Sequence, residues 1–128
     1  MKTKPLYHGS PRKLKKLLPK KALGLSKKED KLKAVYATDI KDFAITMTLI
    51  SCKGVSGKSS VNLSNKKVKG IISKGWPKQK YIYLYFLDSK EFNNTPKGSH
   101  QHISTKSIKP QKEERLLIKD YINLISKK

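Results

Sequence analysis

The chain's 128 residues leave room for one hydrophobic core, and a hydrophobic share of 36% keeps that core small. Thirty Lys and Arg against nine Asp and Glu give a formal charge of +21, which repels itself in the compact state and attracts polyanions. A lone cysteine, Cys52, excludes an internal disulfide, and the longest apolar run, Tyr81–Leu87, is far short of the ~20 residues of a membrane helix.

The N-terminal Met1-Lys2-Thr3-Lys4-Pro5 runs into a polar stretch with no apolar segment behind it, so no signal peptide is expected. These features read as a soluble, cytoplasmic, single-domain protein spanning 1–128 with no membrane partner. The charge is placed unevenly. Residues 1–33 hold twelve bases and two acids, and residues 53–80 hold eight bases and no acid. Apolar stretches lie between these blocks, as expected of a small core with a cationic surface.

In chain order, Leu6-Tyr7-His8 reads as a short strand stopped by the turn triplet Gly9-Ser10-Pro11. The segment at about 12–33 is lysine-dense, with Leu14, Leu17, Leu18 and Leu23 scattered through it and Pro19 and Gly24 breaking any long helix. It reads as a surface loop. Ala34-Val35-Tyr36-Ala37 is a strand, after which Thr38 has the character of an N-cap, with Asp39 and Asp42 in the first helical turn. Ile40, Phe43, Ala44 and Met47 then recur at helical spacing and predict one buried face of a helix ending near Ile50.

Lys53–Ser60 is Gly, Ser and Lys in composition and reads as a loop; Val68–Ser73 reads as a strand ended by Gly75-Trp76-Pro77. Tyr81–Leu87 is the strongest strand, with apolar bulk on both faces, which predicts a central strand covered on both sides. Glu91–Ser99 is turn-rich, and His102–Ile108 reads as a further strand ending near Pro110. Beyond Glu113, Leu117, Tyr121, Leu124 and Ile125 have helical spacing, with Glu113–Ile118 equally readable as a strand. The class expected from these elements is α+β.

Tyr7-His8-Gly9-Ser10-Pro11, followed by Val35-Tyr36-Ala37-Thr38 and a helix containing Phe43-Ala44, resembles the opening of the ADP-ribosyltransferase superfamily, in its poly(ADP-ribose) polymerase and diphtheria-toxin branch. The resemblance implies a small split, antiparallel-rich β-sheet and NAD as co-substrate. Its nicotinamide would stack on the Tyr36 ring and approach the Gly9 backbone, with His8 bonded to the adjoining ribose and Ser10 and Ala37 beside them. Further on, Tyr81–Leu87 with Asp88 and Phe92 is similar to the long central strand of small bacterial and phage members. Gln101-His102-Ile103-Ser104 with Ile108-Lys109-Pro110 is similar to their next segment. Gln101 then stands where the family has a glutamate that stabilises the oxocarbenium-like ribose and orients the acceptor. A neutral amide can hydrogen-bond a ribose hydroxyl but supplies no negative charge. Three alternatives follow: an altered acceptor, a weak transferase, or a binder without catalysis.

Other constellations compete. His8-Gly9-Ser10 and His102-Ile103-Ser104 are similar to the paired motifs of two-histidine phosphoesterases, although Gly9, Pro11 and Thr105 do not fit the hydrophobic positions. His8, His100 and His102 lack nearby carboxylate or cysteine partners, so no metal site is expected. Gly57-Lys58-Ser59 lacks the earlier glycine of a phosphate loop, since Cys52 occupies that position. The lysine blocks point to a nucleic acid or an acidic protein as partner, and a basic nucleic-acid-binding module without chemistry is the competing class.

Overall fold

A computed structural model of the chain describes residues 5–17, 20–21, 33–64, 67–94, 101–104 and 106–127. The strands are β1 (Pro5–Ser10), β2 (Lys20–Lys21), β3 (Lys33–Thr38), β4 (Val55–Ser64), β5 (Lys67–Gly75), β6 (Tyr81–Asp88), β7 (Asn93–Asn94), β8 (Gln101–Ser104), β9 (Lys112–Leu117) and β10 (Ile125–Lys127). Among the described residues one α-helix, α1 (Lys41–Leu49), follows β3. The larger sheet has the order β7-β8-β3-β1-β6-β9, with β2 added against β3, and the smaller has the order β10-β5-β4. All pairings are antiparallel except that of β10 with β5. The protein is therefore α+β with mostly antiparallel sheets.

Helix α1 lies between the two sheets and comes close to each at a glycine. A Cβ on Gly9 of β1 would collide with the Thr48 hydroxyl and stand 2.9 Å from Thr48 Cβ. On the other side, a Cβ on Gly70 of β5 would stand 2.7 Å from Thr46 Cγ2. Burial on two sides explains why the helix face differs from the one predicted. Ala44, Ile45, Thr46, Thr48 and Leu49 are buried, whereas Met47 is 41% exposed and Phe43 is half-buried. The buried threonines satisfy their hydroxyls locally, Thr46 Oγ1 donating to the Asp42 carbonyl and Thr48 Oγ1 to that of Ala44, both at 2.7 Å. The cap also shifts. Ile40 is the N-cap residue, while Thr38 Oγ1 accepts from the Ile40 N–H at 3.2 Å and turns the chain into the helix.

Replacing Gly9 with alanine is expected to destabilise the protein by about 2 kcal/mol through overpacking against α1. Urea unfolding measures this, and an unchanged midpoint would show that the helix yields freely.

The core has two parts, one on each face of the larger sheet. Between the sheets, Ile45, Leu49 and Cys52 pack with Ile72, Ile82, Leu84 and Ile125. On the opposite face Leu6, Val35, Tyr85 and Leu87 are covered by Leu17, Phe92 and Ile108. Strand β6 pairs with β1 and β9 and is buried on both faces, as its composition predicted. Leu17, read from sequence as a loop residue, is a core residue, exchanging backbone bonds of 2.8 and 2.9 Å with Ile108.

Three further expectations are corrected. The Gly/Ser/Lys stretch at 53–60 is largely strand β4, because β5 supplies a ladder from Val55↔Gly75 to Ser64↔Lys67 and Gly57, at φ 73°, absorbs a register shift. The strand expected over His102–Ile108 stops at Ser104, and Ile108 bridges separately to Leu17. The helical spacing in the tail gives no α-helix: β9 is followed by 3-10 turns at Ile118–Asp120 and Ile122–Leu124, then by β10. In addition, β1 runs through Gly9 and Ser10 instead of turning there.

Two buried titratable groups link the fold to pH. Burial pushes the Cys52 thiol up to about 11 from its ordinary 9.0. Burial likewise pushes the Tyr85 phenol up to about 12 from 10.0; its oxygen accepts from the Leu14 N–H at 2.6 Å and donates to Glu113 Oε1 at 3.0 Å. Above the ordinary values the unfolded chain holds fewer protons than the folded one, so stability falls as pH rises between about 9 and 12. The urea midpoint should therefore be lower at about pH 10.5 than at pH 8, and Cys52→Ala should reduce the difference. A flat profile would show that neither group is withheld from water. Among the described residues no helix is long and apolar enough to cross a membrane.

Candidate functional site

The ladder between β1 and β3 consists of one partner pair, Tyr7↔Thr38, whereas β1 matches β6 along its whole length from Pro5↔Asp88 to Ser10↔Tyr83. Beyond Tyr7 the two central strands diverge. The His8 imidazole fills the role of a ladder bond there, with Nδ1 2.6 Å from the Tyr36 carbonyl oxygen. A carbonyl oxygen only accepts, so Nδ1 carries the proton, and in the neutral ring Nε2 carries the lone pair. This hydrogen bond orients the His8 ring and ties it to Tyr36, which belongs to the neighbouring wall.

A cavity of about 230 Å³ opens where the strands part. Tyr7, His8, Gly9 and Pro11 line it from the β1 side, Tyr36, Ala37 and Thr38 from β3, and Phe43, Ala44, Met47, Thr48 and Ser51 from α1 and its exit. Two tyrosine rings, a phenylalanine and a methionine make most of this wall apolar. Such a wall suits a flat, weakly polar ring that brings its own hydrogen-bonding edge. Tyr7 is held in place by Phe86, whose ring meets it edge-on at 5.2 Å. Lys41 and Lys112 lie over that Phe86 ring at 5.9 and 5.1 Å from its centroid. The exit of β1 is held by Gln79, whose Nε2 donates to the Pro11 carbonyl at 2.6 Å and to that of Tyr81 at 2.7 Å.

Of the residues singled out from sequence, His8, Gly9, Tyr36 and Ala37 come together on this cavity. Ser10 does not line it. Its side chain is buried, and Oγ accepts from the Arg12 N–H at 3.1 Å, which makes it a turn-forming residue. Gln101 stands on β8 in register with Thr38 of the cavity wall. His102, in register with Ala37, is not part of the lining, and its Nε2 is enclosed with no hydrogen-bond partner among the described residues. The two imidazoles are thus not presented to one space, as two-histidine phosphoester chemistry requires. His100 lies outside the described residues, and among those described no group of three or more His, Cys, Asp or Glu could hold a metal. Gly57-Lys58-Ser59 is inside β4 with no helix after it, so it cannot cradle a phosphate as a phosphate loop does.

Sequence reasoning missed Tyr7, Phe43, Met47, Thr48 and Ser51 as lining residues. The available signal was the width of the helix's apolar surface. Ile45 and Leu49 supply the core contact, which leaves Phe43 and Met47 as apolar residues with no core to fill. No known protein family, curated protein or solved structure matches the chain.

Proposed function

We propose that the protein is an ADP-ribosyltransferase-like domain that binds NAD between β1, β3 and α1 and transfers ADP-ribose to an anionic acceptor, a nucleic acid or an acidic protein. The observation that carries this reading is the meeting of His8, Gly9 and Tyr36 on one cavity, with His8 and Tyr36 28 positions apart and joined by a side-chain bond. The α+β architecture supports it as well, with a helix directly after the strand that holds Tyr36. So do the size and apolar walls of the cavity, which fit a nicotinamide ring and leave the rest of a dinucleotide outside.

NAD supplies, when bound, an electrophilic ribose carbon with nicotinamide as its leaving group. The chain's own residues would hold and orient it. Tyr36 offers the stacking face, and Ala37 beside it is small enough to leave the slot open. Gly9, on the cavity wall, would let its backbone approach the carboxamide closely, while its missing Cβ is already required by Thr48. His8, anchored through Nδ1 to the Tyr36 carbonyl, would meet the adjoining ribose with its imidazole. Gln101 would bond a second ribose hydroxyl through its amide. Titration calorimetry with NAD, together with release of labelled nicotinamide in the presence of DNA, RNA and protein acceptors, tests the reading. NAD that does not bind at millimolar concentration overturns it.

A basic nucleic-acid-binding module without chemistry is the second reading, favoured by the charge of +21. It predicts nucleic-acid binding that His8→Ala leaves unchanged, with no nicotinamide release from the native protein.

A further inference from the structure

The charge is not spread evenly over the fold. Among the described residues the ion pairs gather at β9, where Glu113 meets Lys13 at 3.7 Å and Glu114 meets Lys41 and Lys112 at 3.7 and 3.6 Å. No such pair involves residues 53–80, which hold eight bases and no acid and which fold into the hairpin of β4 and β5.

The register of that hairpin separates its faces. Gly70 and Ile72 are buried, and Gly70 abuts Thr46 of α1, so this parity faces inward. Lys67, Lys69 and Ile71 have the opposite parity, and across the strand pair they meet Ser64, Asn62 and Ser60. Lys67, Lys69, Ser60, Asn62 and Ser64 are exposed. The outer face therefore carries Lys67 and Lys69, the latter donating through Nζ to the Asn123 carbonyl at 3.3 Å, flanked by small hydroxyl and amide groups, and none of the three strands supplies a carboxylate to neutralise it. Lysines supply the charge that displaces counterions, and neutral donors give phosphate oxygens short-range partners. None of the three strands of this sheet contains an aromatic residue, so the face offers unpaired bases nothing to stack on.

We propose that the outer face of the β4–β5–β10 sheet docks the phosphate backbone of a nucleic-acid duplex, without reading its sequence. A duplex is the occupant that matches dense, regularly spaced negative charge and needs no stacking platform. This inference does not depend on the NAD reading, and its experiment contains no NAD.

The test uses the full chain and a duplex of about 20 base pairs, as DNA and as RNA, with binding followed by anisotropy over a salt series. Lys67→Ser with Lys69→Ser is expected to weaken binding to whichever duplex the native protein binds about tenfold at about 0.1 M salt, and to reduce the slope of log affinity against log salt by about two. The control, Lys90→Ser with Lys109→Ser, removes the same charge from exposed positions on the larger-sheet side and should change either quantity much less. Equal effects of the two pairs would overturn the proposal, because net charge alone would then explain binding. So would tighter binding to a single strand of the same length, or comparable binding to polyglutamate or to anionic vesicles.

Discussion

Alanine at position 36 is expected to weaken NAD binding about thirtyfold, while phenylalanine there should keep it within a few-fold of the native value. The loss follows from where the ring sits. Tyr36 is half-buried in the cavity wall, and its backbone carbonyl holds the His8 imidazole. Truncation to Cβ removes one face of the slot, and a stacked ring against a flat heterocycle contributes about 2 kcal/mol from buried area and ring geometry together. The His8 contact survives, since alanine keeps the same carbonyl. The variant thus separates the stacking face from the histidine anchor. His8→Ala, by contrast, removes the bond across the strand gap and so perturbs the shape of the cleft itself. Calorimetric titration of the native protein, Tyr36→Ala and Tyr36→Phe, with thermal melts to show that all three are folded, checks this. Equal affinity in Tyr36→Ala and the native chain would mean that NAD, if bound, is held elsewhere.

The parts of this fold that were legible in the sequence are those where local pattern and tertiary burial agree. Strand β6 has apolar residues at every position from Tyr81 to Leu87 because it is covered on both faces, and no other environment demands that composition. The strand–helix unit of β3 and α1 was visible for a similar reason: a short apolar run followed by acids in the first turn and a helical period. The parts that were not legible depend on partners distant in the chain. Strand β4 is made of residues that favour turns, and only its ladder with β5 holds it extended. Leu17 looked like a stray leucine among lysines, yet it completes a core with Ile108, ninety-one positions away, through a two-bond bridge. The site divides along the same line. His8, Gly9 and Tyr36 could be paired because their motifs are local, whereas the helix residues on the cavity wall are revealed only when α1 is seen to be gripped by two sheets.

A carboxylate placed at position 101 bears most directly on the proposed catalysis. Gln101→Glu is expected to raise the rate of nicotinamide release from NAD on the order of a hundredfold, with NAD affinity changed only slightly. Position 101 lies on β8 in register with Thr38, which belongs to the cavity wall. An amide and a carboxylate are nearly the same size, and both can accept a hydrogen bond from a ribose hydroxyl, so ground-state binding should hardly notice the change. The difference lies in the charge that develops as the bond to nicotinamide lengthens. A fixed negative charge beside a developing positive one lowers the barrier, while a neutral dipole does so far less, and removal of a single well-placed electrostatic partner typically costs an enzyme about 2.7–4 kcal/mol. Such a group should therefore raise kcat and leave KM nearly unchanged. The chain's net charge of +21 helps to keep the new carboxylate ionised at neutral pH. If Gln101→Glu binds NAD as the native chain does and releases nicotinamide no faster, then position 101 does not face the reacting ribose, and the assignment of Gln101 to the glutamate's place is wrong even though His8 and Tyr36 keep theirs.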